Sequence, residues 1–481
     1  MRKIFFAAGL LGLTLAGTTS CNKLLDVTPQ SQITGQVYFK SEGDFDPFVI
    51  GNYASIRAFA NSFTYGTERS EELAQGPNSR LTSVWLQTIT PTTNAFNYNG
   101  QYRAIGASNL LLEQIEPFQF SSAAVKNRIK AEALCQRAYT YLFLVRVVGD
   151  TPLMLQAITD DNVPLLPRAK AADVMKQIFS DLDMAISLFP DKSYANKYRF
   201  SWGAAQALKA EAKLWSAKVL GGGATDFNDA IAACAAVETT GVSLLNNFKD
   251  VTTTRANAEV IMAAYYQRDE TGANYGLNAL PYLQSVQNAS NLDSIPYAKT
   301  TTNGQGGYQI SLKSRQLFSG LTNDKRKPFT FITERVGTTV RNSYVIKLPG
   351  NVYPDDRVSD NDVIMWRLAD VYLMEAEAYA GVNNTTKAIE YLDKVRVRAG
   401  NGAYTGATDK ATVERAIFDE RGRELFFENK RWYDIVRFHF GNTINAYDYV
   451  PNLVGKKTPL FWPLSASVLA ANSQLVQTAG Y

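Results

Sequence analysis

ERGRELFFENKRWYDIVRF, running from Glu420 to Phe438, is the stretch on which the reading of this chain turns. Three carboxylates, Glu420, Glu424 and Glu428, interleave with Arg421, Arg423, Arg431, Asp434 and Arg437. Neighbouring carboxylates are what glycoside hydrolysis uses, one holding a proton while the other stays ionised. Here each has a basic neighbour at helical i,i+3 or i,i+4 spacing, which favours the ionised form. The segment reads as structural, and no strong candidate for a catalytic acid survives elsewhere in the chain.

The residues around it narrow the chemistry further. His439, directly after the stretch, is the single histidine, so a multi-histidine metal site is excluded, and any Ser-His-Asp or Cys-His arrangement would have to use it. The chain has no G-x-x-x-x-G-K-[ST] loop. Gly221-Gly222-Gly223 and Gly304-Gln305-Gly306-Gly307 lack the lysine and the strand–helix setting of phosphate loops and read as turns. No cofactor or metal is expected. Cys135 and Cys234 lie in helical patterns among apolar residues and read as buried thiols, although the sequence leaves a disulfide between them open.

Outward from the stretch, helical periodicity dominates. Val125–Val148 places Ile129, Leu134, Ala138, Leu142 and Val145 on one stripe, and Gly149 and Pro152 stop it. Asp173 is placed to cap a helix carrying Val174, Ile178, Leu182 and Ile186, ended by Pro190. Further helices are expected over Trp202–Leu220, Phe227–Thr239, Val363–Ala380, Thr385–Val397 and Thr412–Glu428. Trp202, Trp215, Trp366 and Trp432 fall in these segments and read as core. An Ala-Ile pair recurs at Ala185, Ala230 and Ala388, where a small residue lets paired helices approach closely. This is tetratricopeptide-like hairpin logic, with spacing too irregular for an uninterrupted array. Two long irregular regions interrupt the helices, about Ala60–Asn99 and Asp269–Asp360, with short strand-like pieces such as SYVIKL (Ser343–Leu348).

The N-terminus carries a different signal. Arg2 and Lys3 precede an apolar run, Ile4–Leu15, and the small polar segment Ala16–Ser20, the layout of a secretory signal too short to span a bilayer. Cys21 directly after it is similar to the acylated cysteine of a bacterial lipobox, although Thr18 stands where Leu, Val or Ile is usual. Acylation would hold the mature chain on a membrane without a spanning helix. The competing reading is a secreted protein with an incidental cysteine. The net charge of +4 falls to +2 without Arg2 and Lys3, too near neutral to suggest nucleic acid or an electrostatic membrane patch.

Taken in order, the segments resemble the SusD/RagB family of outer-membrane lipoproteins of Bacteroidetes. The residues that carry the resemblance are CNKLLDVTPQSQIT from Cys21, YRAIGASNLLLEQI (Tyr102–Ile115), AEALCQRAYTYLFLVRVVGDTPL (Ala131–Leu153), MWRLADVYLMEAEAYAG (Met365–Gly381) with KVRVRAG (Lys394–Gly400), the Glu420–Phe438 stretch, and the closing PLFWPLSASVLAANSQLVQTAGY. The last ends Gln-Thr-Ala-Gly-Tyr where members usually show Gln-Asn-Pro-Gly-Tyr, and Tyr98 stands where members often have Trp. The resemblance implies a mostly α fold, with tetratricopeptide-like hairpins as scaffold and long loops with short strands forming the ligand face. It implies a signal peptide over 1–20, removed before Cys21, and one SusD-like domain over 21–481, with an N-terminal part to about 245 and a C-terminal part from about 255. It also implies a non-catalytic glycan-binding protein, lipid-anchored in the outer membrane and facing outward, with a SusC-like TonB-dependent transporter as partner.

Sugar recognition needs flat aromatic faces and side chains that bond hydroxyls. In the irregular regions these are Tyr65, Arg80, Trp85, Asn94 and Phe96, and then Tyr275, Tyr282, Tyr297 and Tyr308. Trp85 stands out as the one tryptophan outside helical segments before the C-terminal run. The family's ligand residues vary between members, so these are positional expectations. Three other readings stand beside glycan capture: uptake of peptides or another nutrient by the same arrangement, a lipid-anchored helical glycosidase, and a periplasmic scaffold that binds a protein.

Overall fold

A computed structural model of the chain describes residues 38–78, 82–158 and 164–481. Cys21, the signal segment and Arg80 lie outside the described residues. The molecule is mostly helical, and among the described residues the strands form short pairs. Ten helices form the scaffold: α1 (Phe45–Ala60), α2 (Asn99–Ile115), α3 (Ala123–Val148), α4 (Ala171–Leu188), α5 (Trp202–Val219), α6 (Gly223–Glu238), α7 (Leu368–Gly381), α8 (Thr385–Arg398), α9 (Lys410–Glu424) and α10 (Arg431–Phe440). None of the helices in the described residues is long and apolar enough to cross a membrane.

The helices pack as neighbours in sequence, α3 on α4, α5 on α6 and α7 on α8. Ala185, Ala230 and Ala388 are all fully buried, as the Ala-Ile repeat requires. Gly381 ends α7 against Phe227 of α6, where a Cβ would fall 2.7 Å from the ring. Ser122 caps α3, its hydroxyl accepting the Val125 N–H, and Gly149 at φ 76° ends it. From Ala131 to Val148 every residue of α3 is buried, so this helix is the axis of one core that extends from Ile56 to Val468. Cys135 and Cys234 are buried free thiols.

Several elements differ from their sequence expectations. Asp173 does not cap α4: Lys170 holds that position, and the Asp150 carboxylate accepts the Ala171 N–H at 2.8 Å. The helix expected over Val363–Ala380 begins only at Leu368. Val363–Arg367 is a fully buried strand, paired antiparallel with Val260–Ala264. The helix expected to reach Glu428 ends at Glu424, because Phe427 and Asn429 take left-handed φ values of 58° and 60° and turn the chain into α10. Trp215, Trp366 and Trp432 are core, whereas Trp202 is half-buried beneath the Lys192 ammonium, 4.4 Å from its ring.

The Glu420–Phe438 stretch is the hub of a buried ionic network. Arg326 bridges Glu420 and Glu424 at 2.7 and 2.9 Å, and Arg367 reaches Glu259, Glu424 and Glu428 at 2.7, 2.6 and 2.7 Å. Burial alone would raise the Glu424 carboxyl, but Arg398, Arg367 and Arg326 outweigh it and hold it well below the usual range. The three glutamates are therefore ionised, as their spacing suggests, but most of their cations come from far along the chain. Only Glu420–Arg423 and Asp434–Arg437 are local pairs within this stretch.

Candidate functional site

The turn between α9 and α10 fixes the backbone of the irregular regions. Asn429 Nδ2 donates to the carbonyls of Ala60 and Ser62 at 3.0 and 3.1 Å, just where α1 ends. The Phe427 N–H donates to Glu72, and the Phe427 carbonyl accepts the Tyr275 hydroxyl at 2.9 Å. Arg431 pairs with Glu71 at 2.7 Å. One ionic hub thus holds residues 60–72 and the loop at Tyr275 together. The strand Leu73–Gln75 continues this join by pairing antiparallel with Tyr308–Ile310.

Between the two regions lies an open cleft of about 840 Å³. Its floor is aromatic: the Phe63 ring lies 6.1 Å from Tyr275, nearly parallel, and 5.3 Å from Tyr308. Tyr282 adds a half-buried ring at the side. The Tyr308 hydroxyl donates to Glu68 at 2.7 Å, and Thr82 donates to the same carboxylate. Burial, then the charge of Glu68, pushes the Tyr308 phenol up, so it stays a neutral donor. The walls are amides. Asn61 accepts the Tyr275 N–H through Oδ1, and Asn278 donates to the Tyr275 carbonyl through Nδ2. That leaves Asn61 Nδ2 and Asn278 Oδ1 without partners among the described residues. Gly276 shapes this wall, since a Cβ there would come within 2.5 Å of Ser359 Oγ. The half-buried Tyr282 ring and the small exposed parts of Phe63, Tyr275 and Tyr308, beside unpaired amide groups, suit a ligand with C–H faces and hydroxyls.

Among the described residues the cleft does not present paired carboxylates. Glu68 is the one carboxylate among the described residues that line the cleft, whereas glycoside hydrolysis needs two across the scissile bond. Burial raises Glu72 and Glu375 to about 8, Glu71 adding to the first and Glu238 to the second. Both are sealed in the interior, 1% and 0% exposed. His439 sits on the helical scaffold and accepts the Ala446 N–H through Nδ1. Among the described residues no cluster of three or more His, Cys, Asp or Glu side chains could hold a metal ion.

Of the residues singled out in the sequence, the structure brings Tyr275, Tyr282 and Tyr308 together on the cleft. It places the others elsewhere. Phe96 is 1% exposed in the core, where its ring cannot meet a ligand, and Tyr65 packs edge-on to Phe96, Phe143 and Trp462. Trp85 is half-buried against the core, its indole N–H donating to the Leu73 carbonyl at 3.2 Å; it stands behind Thr82 and is not among the lining residues. Asn94 is exposed and donates to Ser83 away from the cleft, and Tyr297 packs on the small cluster of Val286, Ile295 and Tyr344. Asn61, Phe63, Glu68, Asn78, Asn278 and Gln305 also line the cleft and were not anticipated. Their residue types suit sugar binding, but nothing in the local sequence separates them from other loop amides.

Two family models match consecutive parts of the chain. Residues 23–214 match the family described as starch-binding associating with outer membrane, and residues 261–481 match the SusD family. SusD-like protein P25 of Formosa agariphila is 24% identical, the alignment covering 87% of each chain. Among solved structures, B. fragilis NanU superposes with a TM-score of 0.81 at 27% identity, over 95% of this chain and all of that one. A laminarin binding SusD-like protein superposes with a TM-score of 0.72 at 22% identity, over 92% of this chain and 100% of that one.

Proposed function

Because the chain belongs to the SusD/RagB family, we propose that it captures oligosaccharides or polysaccharide in the cleft between its two irregular regions, without catalysis. The observation that carries this reading is the aromatic floor of Phe63, Tyr275 and Tyr308, walled by amides with unpaired groups. A relative of the same fold that is described as laminarin binding supports a glycan over other nutrients. Anchoring would run through acylated Cys21, on the outer membrane and facing outward. Delivery would be to a SusC-like TonB-dependent transporter. With a single carboxylate among the described residues on the cleft, the protein is read as holding its ligand and leaving bond cleavage to others.

Binding of the purified protein to a polysaccharide panel tests the reading, with Tyr282→Ala as the variant. At least one glycan should bind, and the variant should weaken it by about three- to tenfold, the range of one ring face. Binding of peptides with no glycan bound would transfer the cleft to peptide capture. Hydrolysis of a bound glycan, lost on Glu68→Gln, would make the protein an enzyme.

A further inference from the structure

A second cleft, of about 600 Å³, opens beside the first. Helix α1 joins them. Ile50, Tyr53, Ala54 and Arg57 line the second cleft and Asn61 lines the first, and these residues fall three or four apart on one helical stripe. The facing wall repeats the join, since Tyr265 and Glu270 belong to the second cleft and Ala273 and Asn274, a few residues on, to the first. The surface is apolar and aromatic: Tyr198 meets Tyr265 edge-on at 5.2 Å, and Ile50 is 47% exposed on the rim.

The two clefts differ in charge. Among the described residues that line it, the first is neutral apart from Glu68, whose carboxylate is occupied by Tyr308 and Thr82. In the second, Arg199 is neutralised by Asp46 and Glu132 at 2.6 and 2.8 Å, and Glu270, exposed on the facing wall, is the one carboxylate among the described lining residues. Arg57, partly buried on the stripe between the clefts, has no carboxylate and no hydrogen-bond partner among the described residues. Elsewhere in this molecule guanidiniums pair extensively with carboxylates, so a partly buried cation left single on a cleft wall is matched to an anion from outside. We infer that the second cleft is a subsite for an anionic substituent, a carboxylate or sulfate ester, on the same glycan whose neutral rings occupy the first. The substrate class is thus an extended acidic polysaccharide. This rests on glycan capture in the first cleft.

The test is affinity of the purified protein for three oligosaccharide series of equal length: oligouronides, oligosaccharides of a sulfated galactan, and neutral β-glucans. One acidic series should bind about tenfold more tightly than the neutral one at low salt, with the advantage fading as salt rises. Arg57→Gln should abolish that advantage and leave neutral binding unchanged, and Arg57→Lys should keep part of it. Tyr282→Ala should weaken all the series. A preference confined to uronates or to sulfate esters identifies the anion. Neutral binding with no acidic preference, or a preference that survives Arg57→Gln, overturns the inference and leaves the first cleft intact. Failure to bind any glycan overturns both.

Discussion

The Glu420–Phe438 stretch and the cleft between Asn61 and Tyr308 are both dense in polar side chains, and they use them in opposite ways. In the first, Arg326, Arg367 and Arg431 find carboxylates inside the protein, and the cost of taking ions out of water is offset by multiple short pairs. In the second, Asn61 and Asn278 each spend one end of the amide on the backbone of Tyr275 and leave the other end without a partner among the described residues. The hub fixes where the loops stand, and the loops present what the hub does not consume. Stability and recognition are thereby assigned to different residues of one chain, joined through Phe427 and Asn429.

That division can be broken most severely at Arg367. Replacing it with Met takes one buried cation from each of Glu259, Glu424 and Glu428, which then share only Arg398, Arg326 and Lys347. The expected loss is about 3–5 kcal/mol of unfolding free energy, read by denaturant titration. A loss below 1 kcal/mol would mean that the network is not the keystone described.

Next in size is a pH effect. Glu72 is raised to about 8 from 4.5 by burial and by Glu71, so the folded state keeps a proton that the unfolded state releases. Its contribution to stability is full below about 4.5 and is lost as pH climbs towards 8. Asp370 and Glu377 act in the other direction. Burial opposes their ionisation, but Lys430 and Arg421 for the first, and Arg437 and Lys218 for the second, hold them at about 2, so their contribution is lost as pH falls from the ordinary carboxylate range towards 2. Thermal stability should therefore peak in mildly acidic solution. Glu72→Gln should flatten the alkaline decline by on the order of 1 kcal/mol or more at pH 8. A midpoint that rises steadily from pH 5 to 8 would contradict this.

Within the cleft the effects should be smaller and of the other kind. Tyr282→Ala should lower glycan affinity by about 0.5–1.5 kcal/mol while moving the unfolding midpoint little. Trp85→Ala should do the reverse: its indole packs on the core and bonds Leu73, so stability should fall by about 2 kcal/mol or more and binding should change only through displaced Thr82. Asn94→Gly, at φ 56° outside the cleft, should leave affinity unchanged.

How much of this was legible in the sequence follows from the range of the interactions. Periodic helices were, because Leu142 and Val145 or Ala388 and Leu392 declare their face within a turn or two. Helix α1 was not, since Pro47 and Gly51 interrupt its pattern and its core includes Asn52, which bonds Gln136 and the Ala104 carbonyl. Val363–Arg367 looks helical in sequence because a short apolar run has no period of its own, and its partner strand lies about a hundred residues earlier. The pairing of Glu424 was legible as chemistry but not as partners, which sit at Arg326, Arg367 and Arg398. In the cleft, the two regions and three tyrosines were legible. Phe96 and Tyr65 were not separable from them, because an aromatic in an irregular segment does not disclose which way it faces.

The central claim is that the surface between Phe63, Tyr282 and Tyr308 holds the ligand. A crystal structure of the protein with an oligosaccharide chosen from the binding panel tests it most directly. A sugar ring should lie against these aromatic side chains, with hydroxyls bonded to Asn61 Nδ2 and Asn278 Oδ1. A bound sugar on any other face, with this cleft holding only solvent, would contradict it.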